Sequence, residues 1–290
     1  MSKAIYRYSS IARPLEPQYP TNKAMLILLP AIALALIGLH RLGFGAGSME
    51  AIQAGLKGMF AAFLVWALGR EVDPDRNSTA FIALGATLIA LAGQLEPSLW
   101  TLAFALMAAR IVNRTVGPAA RPVDIAIVVG LAGLAVFYDG YAAMGAIAAL
   151  AIAIDVMFDR KRSLHLIAAL IALSFSVWQL VQAEGDFHAL LVAPALALDP
   201  VLQGGWLALS LAGAFLVITC PAPQCGCDTT GERLSHGRVK AGLLIVWLIA
   251  MSGITRGEDG LTGLLPVWTT IAGTAIARMV SLLRGPKADA

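Results

Sequence analysis

The sequence is poor in charged residues, and this scarcity excludes a soluble globular protein. Only 13% of the 290 residues are Asp, Glu, Lys or Arg, whereas 58% are hydrophobic. A soluble domain carries about 25% charged residues, so this chain is expected to lie in a membrane, with lipids as its surroundings. The mean hydropathy of +0.76 agrees with that expectation. The formal net charge of +3 is small and does not indicate a nucleic-acid partner.

Cysteine is also scarce, and its placement excludes a disulfide framework. The three cysteines, Cys220, Cys225 and Cys227, lie within eight residues of one another, so they cannot staple distant parts of a fold. With His236 they supply three thiols and an imidazole, which are ligand types of a tetrahedral Zn²⁺ or soft-metal site. The spacing lacks the usual C-x2-C knuckle, and the alternative is a proline-containing loop with ordinary reduced thiols.

Long apolar runs are abundant. A membrane-spanning helix needs about 20 mostly apolar residues, with about 17–25 tolerated. Counting on this basis predicts an all-α, polytopic integral membrane protein with about ten transmembrane helices. One membrane domain covers residues 24–284, between an N-terminal tail, 1–23, and a C-terminal tail, 285–290. The predicted helices are roughly 24–42, 50–68, 78–94, 97–113, 122–138, 141–158, 164–182, 201–219, 240–255 and 261–282.

The distribution of Lys and Arg predicts which ends of these helices face the cytoplasm. Cytoplasmic loops are enriched in Lys and Arg, and a model with both termini inside places 18 of the 21 basic residues on the inner side. The outer loops are short, acidic or Gly-rich, and we expect a turn at 257–260. Residues 187–199 are too short to cross, so an interfacial or re-entrant course is predicted there. The predicted location is the bacterial inner (plasma) membrane. The inner basic residues are Lys3, Arg7, Arg13, Lys23, Arg70, Arg76, Arg110, Arg114, Arg121, Arg160, Lys161, Arg162, Arg233, Arg238, Lys240, Arg278, Arg284 and Lys287.

Charged groups recur at the predicted inner ends of the helices, where they are candidates for binding a ligand. Arg110 and Arg114 are four residues apart and share a helix face, so two guanidinium groups could bind a phosphate or a carboxylate. Carboxylates nearby could bridge Mg²⁺ to a phosphorylated ligand. Alternatively, the acidic residues 71–75 pair with Arg110 and Arg114, and residues 160–162 only orient the chain. The candidate ligand-binding residues are Glu71, Asp73, Asp75, Arg110, Asn113, Arg114, Asp155 and Asp159.

The placement of these acidic residues resembles that in intramembrane aromatic prenyltransferases of the UbiA type. Those enzymes carry acidic motifs on the inner loops after their second and sixth helices. Here Arg70-Glu71-Val72-Asp73 follows the second predicted helix, and Asp155-x3-Asp159 follows the sixth. The resemblance implies prenyltransferase-like chemistry on a lipid-linked substrate. The sequence departs from the family in lacking Asn-Asp-x-x-Asp-x-x-x-Asp and in having ten predicted helices instead of nine.

Lys57 is the basic residue that lies deep within a predicted helix. An ionisable group at that depth suggests a functional site by default. Two structural explanations compete with this hypothesis: the side chain extends to the membrane interface, or it pairs with Glu50 at the end of the helix.

Three functional classes fit the sequence. The charge at the inner face favours a protein that binds an anionic or lipid-linked phosphorylated ligand there. Ten helices with both termini inside would also fit two inverted five-helix halves, as in a small-solute permease. An accessory or assembly subunit, with other membrane subunits as partners, would have the same composition. The sequence does not identify catalytic residues.

Overall fold

The computed structural model describes residues 9–159, 163–183 and 197–284. Within these ranges the chain is helical and has no β-strand, although an isolated antiparallel bridge joins Gly226 to Arg233. The all-α prediction is therefore confirmed for the described part of the chain. Most of the segment 187–199, for which an interfacial or re-entrant course was predicted, lies outside it.

Each of the ten predicted segments coincides with a long helix in the described ranges, with ends shifted by up to four residues. A π-helical turn, Leu39–Gly43, extends the first helix, and a 3-10 turn, Gly253–Arg256, precedes a short additional helix. The helices are α1 (Pro20–Gly38), α2 (Ser48–Val72), α3 (Asn77–Ala92), α4 (Leu99–Asn113), α5 (Pro122–Phe137), α6 (Met144–Asp159), α7 (Ser163–Gln182), α8 (Pro200–Ile218), α9 (His236–Ser252), α10 (Gly257–Gly263) and α11 (Leu265–Leu283).

Six helical stretches are long and apolar enough to cross a membrane, which supports an integral membrane protein. They are Pro20–Gly43, Ser48–Val72, Leu164–Gln182, Pro200–Ile218, His236–Gly263 and Leu265–Leu283. Helices α3 to α6 are apolar but have only 15 or 16 residues each. The count of about ten crossings and the cytoplasmic placement of both termini therefore stay predictions.

Prolines mark where several of these helices begin. Pro20, Pro122 and Pro200 each occupy the first position of a helix, where the missing N–H has no intrahelical acceptor and the fixed φ suits the helix. The carboxylate of Asp199 caps α8 by accepting a hydrogen bond from the backbone N–H of Val201 at 2.8 Å.

Residues 257–260 were predicted to form a turn, and this prediction is wrong: they form the start of helix α10. A Cβ at Gly260 would collide with the backbone carbonyl of Gly253. Glycine at this position therefore lets α10 pack closely against the preceding 3-10 turn, and the segment folds as a helix instead of a simple turn.

Helix α2 is much longer than the helix that follows it. Its 25 residues rise about 37 Å, whereas the 16 residues of α3 rise only about 24 Å. Residues 73–76 join the two helices at the end of the bundle that is called inner after the predicted topology, and the opposite end is called outer. The outer end of α3 consequently stops about 13 Å below that of α2, which leaves a step on the outer side of the bundle.

Helix α4 lies at the centre of the bundle, in contact with α2, α5, α6 and α9. Eleven of its 15 residues are buried, and these include Arg110 and Asn113 near its C-terminal end. Buried polar groups are costly unless they find partners. The partners of this helix end define the inner face of the molecule.

Candidate functional site

The inner face comprises the helix ends and connections at residues 9–19, 70–79, 110–124, 155–159 and 219–240. It is named after the predicted topology. Contacts across it join segments that are far apart in the sequence. Segment 9–19 is hydrogen-bonded to segment 110–124, and segment 70–79 to segment 219–240. The structure therefore brings the predicted inner clusters together at one end of the bundle.

Glu71, at the end of α2, is a buried carboxylate of this face that contacts two arginines and a threonine. Its side chain has 0% exposure. One oxygen accepts a hydrogen bond from Arg110 Nε at 3.1 Å, and Arg13 Nη1 lies 3.5 Å from the same oxygen. The other oxygen accepts a bond of 2.6 Å from the hydroxyl of Thr115. Of the pairings in the alternative hypothesis, which joined the acidic residues 71–75 to Arg110 and Arg114, the one between Glu71 and Arg110 is found.

Asn113 reinforces the same contact between α2 and α4. Its side-chain N–H donates to the backbone carbonyl of Glu71 at 2.7 Å. Its side-chain oxygen packs against Gly242 of α9, where an added Cβ would collide with it. Asn113 thus ties three helices together through one buried side chain.

Arg114 pairs with a different partner from the one expected in that hypothesis. Its Nε and Nη2 donate to Asp155 Oδ1 at 3.0 and 2.8 Å, and not to the acidic residues 71–75. Arg114 has a left-handed φ of +53°, which ends α4. Because the helix stops there, the four-residue spacing from Arg110 no longer places both side chains on one face, and Arg114 is directed towards α6.

Asp155 is a meeting point of α4, α6 and α9. It is 1% exposed, and its Oδ1 also accepts a bond of 3.0 Å from Arg238 Nη1. Arg238 lies over the ring of Phe158, 4.7 Å from the centroid. Asp155 Oδ2 makes no hydrogen bond within the described ranges. Asp159, the remaining candidate on α6, has a side chain outside the described part.

The other two acidic candidates are also bonded to protein donors, Asp73 within its own segment and Asp75 across the inner face. Asp73 accepts hydrogen bonds from Thr79 Oγ1 at 2.7 Å and from Arg76 at 3.0 Å. Burial raises its pKa, and these two hydrogen bonds oppose that effect. Asp75 accepts bonds of 2.9 Å from the backbone N–H groups of Gln224 and Cys225. Burial alone would raise the pKa of Asp75, but the two backbone donors outweigh it and lower the pKa.

The cysteine loop does not assemble the predicted metal site. Within the described ranges, no group of three or more His, Cys, Asp or Glu side chains is arranged to hold a metal ion. The His236 ring is bonded to the backbone carbonyl of Cys220 at 2.8 Å, and Cys227 Sγ faces the carbonyl of Arg114 at 3.7 Å. These side chains serve as contacts between the loop and the helix ends. Burial and the Asp75 carboxylate raise the pKa of the Cys225 thiol to about 12.

The N-terminal segment takes part in the inner face, which the sequence did not indicate. Asp124, with 0% exposure, accepts bonds from both hydroxyls of Ser9 and Ser10, at 2.6 and 2.7 Å. Arg13 bridges Glu71 to Asp228, with a 2.7 Å contact to the latter. Arg13 and Arg238 were predicted only as basic residues that orient the chain. A single sequence contains no signal for such long-range pairs, although it does show the carboxylates that need partners.

The candidate residues of the inner face are thus mostly bonded to one another. Guanidinium groups, hydroxyls and backbone N–H groups donate to the described carboxylates that were candidates for binding Mg²⁺, and the candidate arginines Arg110 and Arg114 are paired with carboxylates. Whether these residues also bind a ligand stays a prediction. A more accessible polar site lies at the opposite end of the bundle.

That site is a notch above the outer end of α3. It has a volume of about 450 Å³, which is within the usual range of small-molecule sites, about 300–1,000 Å³. Lys57 and Glu96 meet there, with Nζ 3.0 Å from a carboxylate oxygen. Glu50, the partner expected from the sequence, lines the notch but does not hold Lys57. The complete lining is Leu36, His40, Glu50, Gln53, Ala54, Lys57, Gly58, Leu91, Gln94, Leu95, Glu96 and Pro97.

The depth of the notch follows from the unequal helices. Lys57 lies nine residues from the start of α2, about 13 Å along its axis. This distance equals the height of the step above α3, so Lys57 meets Glu96 in the loop that follows α3. His40 enters from the π-helical turn that extends α1, and such π turns are frequent at functional sites.

Comparison with protein-family models, with curated proteins and with solved structures finds no match for this chain.

Proposed function

We propose that this chain is a permease of the bacterial inner membrane that takes a small polar solute from the outer notch. In this proposal all ten long helices cross the membrane, and both termini lie in the cytoplasm. The short helices α3 to α6 cross where the bundle is thin, and the notch is the hydrated outer end of that region.

The observation that carries the proposal is the contrast between the two ends of the bundle. The outer end has an accessible notch in which Lys57 and Glu96 meet, about 13 Å along α2 from its start. The proposal places this level within the bilayer, whose core is about 30 Å thick. Ionisable groups at such depth commonly line a hydrated cavity or a solute pathway. The inner end is held by buried ion pairs centred on Glu71 and Asp155. One open end and one closed end is what a permease requires in each of its two states.

The alternative functions receive less support from this geometry. An anionic or lipid-linked phosphorylated ligand at the inner face would have to displace ion pairs already formed there. Prenyltransferase-like chemistry would require carboxylates free to bind Mg²⁺, whereas Asp73 and Asp75 are bonded to protein donors. An accessory subunit would not need a polar notch at membrane depth.

Uptake into proteoliposomes tests the proposal. Four labelled probes represent the chemical classes: choline for cations, glycine for zwitterions, glycerol for neutral solutes and acetate for anions. We expect at least one class to enter faster than into protein-free liposomes. Gln53→Trp places a bulky ring in the notch at an exposed position and should reduce that uptake by at least about tenfold.

The matched control is Glu258→Gln, which removes a carboxylate from the same end of the molecule outside the notch lining. It should leave uptake unchanged. Equal uptake with and without the protein for all four probes would contradict the permease proposal, as would undiminished uptake by a folded Gln53→Trp variant.

A further inference from the structure

The charge of the outer notch indicates the class of solute that it takes. Four titratable side chains line it: Glu50 and Glu96 are acidic, Lys57 is basic, and His40 counts as neutral in a formal charge sum. The formal charge of the lining is therefore −1. An unbalanced negative charge favours a cation over an anion in the notch.

Lys57 shows which kind of cation fits. Its ammonium group already sits in the notch, 3.0 Å from Glu96. We infer that the notch binds a small organic solute through a positively charged ammonium group, which takes the place of Lys57 on Glu96. This inference rests on the proposed function in treating the notch as a solute site, but it concerns binding and not transport.

The Lys57–Glu96 pair is suited to such an exchange. The side chains are 48% and 76% exposed, and an ion pair of this exposure is weak because water competes for both groups. Lys57 belongs to α2, whereas Glu96 belongs to the loop after α3. Release of Lys57 therefore requires only a rotation of its long side chain and leaves both helices in place.

The two amide side chains of the notch can bind a solute through hydrogen bonds, and they add no charge to the lining. Gln53 projects from α2 and Gln94 from the loop after α3, and each amide can donate and accept hydrogen bonds. Leu36 and Leu91 line the apolar part. An ammonium group attached to a short polar chain matches these surroundings. Among the lining residues Lys57 is the group with a fixed positive charge, and it is already paired with Glu96.

Calorimetric titration of purified protein with ethanolamine tests the inference, because its primary ammonium resembles the end of Lys57. We expect ethanolamine to bind and acetate not to bind. Glu96→Gln should weaken the binding of ethanolamine by about tenfold or more, since a charge-assisted contact is lost. Lys57→Ala should strengthen it by about two- to fivefold, because the competing ammonium is gone.

The opposite effects of these two variants separate the inference from a structural explanation. A variant that merely damaged the fold would weaken binding in both cases, and the thermal unfolding midpoint of each variant checks for such damage. Glu258→Gln serves as the matched control and should leave the affinity for ethanolamine unchanged. Binding of acetate that is lost in Lys57→Ala, or ethanolamine binding that is unchanged in Glu96→Gln, would overturn the inference.

The ammonium group could belong to a free solute or to a lipid head group, and the membrane used in the titration distinguishes these sources. Nanodiscs of phosphatidylglycerol contain no ammonium, and ethanolamine should bind in them. Loss of that binding in nanodiscs of phosphatidylethanolamine would identify the head group as the occupant. Equal binding in both would identify a free solute. Ethanolamine binding without uptake of any of the four labelled probes would retain this inference and contradict only the permease proposal.

Discussion

At the scale of single residues, the buried carboxylate of Glu71 has the largest predicted effect on stability. It holds Arg110 and Thr115 through hydrogen bonds of 3.1 and 2.6 Å. Glu71→Gln leaves the Arg110 charge buried without its counter-ion. Breaking a buried ion pair from one side costs about 3–5 kcal/mol, and we expect a loss of this size in the free energy of unfolding, measured by denaturant titration in detergent micelles.

A double variant provides the control for Glu71. Glu71→Gln combined with Arg110→Met removes both charges, and replacement of a whole buried pair by uncharged groups is often nearly neutral. The double variant should therefore recover most of the lost stability. Equal stability of the wild type and Glu71→Gln would show that the pair does not hold the inner face together.

Cys225 gives a prediction about pH dependence. Its pKa is raised from 9.0 to about 12 by burial and by the Asp75 carboxylate. The thiolate is the reactive form, so alkylation of Cys225 should stay slow at pH 8 and accelerate only as the pH rises towards 12. Asp75→Asn removes the negative charge, lowers the pKa of the thiol, and should shift the rate profile towards lower pH.

The measurement is the alkylation rate against pH in a background with Cys220→Ser and Cys227→Ser. Asp228→Asn is the matched control, because Asp228 lies in the same loop but pairs with Arg13. It should leave the profile in place. A profile that moves equally in both variants would mean that loosening of the loop, and not the charge of Asp75, controls the thiol.

The sequence predicted some of these contacts because they depend on local chemistry. Glu71 and Arg110 carry opposite charges near the C-terminal ends of α2 and α4, which both lie at the inner end of the bundle, so their pairing could be expected. The Arg114–Asp155 contact was missed because the helix ends at Arg114 with a left-handed φ. The bonds between Asp124 and the N-terminal serines join residues more than 100 positions apart, and no local pattern specifies such a distance.

At the scale of helices, the close contact between α6 and α7 depends on Gly145. An added Cβ there would collide with the backbone carbonyl of Ala172 and approach Ser176 Oγ to 2.8 Å. Small residues let helices approach closely in lipid. Gly145→Ala should therefore lower the unfolding midpoint, although alanine favours a helix over glycine by about 1 kcal/mol.

Gly130 of α5 is the matched control for Gly145. A Cβ at Gly130 would meet nothing within 4 Å. Gly130→Ala should hence be neutral or slightly stabilising, through the helix preference alone. Thermal unfolding of both variants in the same detergent checks the contrast, and a loss of stability in both would assign the effect to something other than the packing of α6 on α7.

The helices themselves could largely be predicted from the sequence, because apolar length and proline placement are local properties. The relative positions of the helix ends along the bundle axis could not be predicted in this way. The step between α2 and α3 arises from a difference of nine residues in length, but its consequence depends on which ends are joined. The Lys57–Glu96 contact, and with it the outer notch, becomes visible only when both helices are aligned at their inner ends.

At the scale of the whole molecule, a ten-crossing and a six-crossing arrangement place the same loop on different sides of the membrane. Tyr138 is 78% exposed and follows α5, and Thr230 is an exposed residue between α8 and α9. If every long helix crosses and the N-terminus is cytoplasmic, Tyr138 lies outside and Thr230 inside. If only the six longer stretches cross, α3 to α6 remain on the inner side, and Tyr138 lies inside as well.

Labelling with a membrane-impermeant maleimide in intact cells distinguishes these two arrangements. The background carries Cys220→Ser, Cys225→Ser and Cys227→Ser, with a single cysteine introduced as Tyr138→Cys or Thr230→Cys. We expect the first to react in intact cells and the second only after permeabilisation. A Tyr138→Cys protein that reacts only in permeabilised cells would contradict the ten-crossing topology. It would also remove the basis for an outward-facing notch, since Glu96 would then lie on the inner side of a shorter bundle.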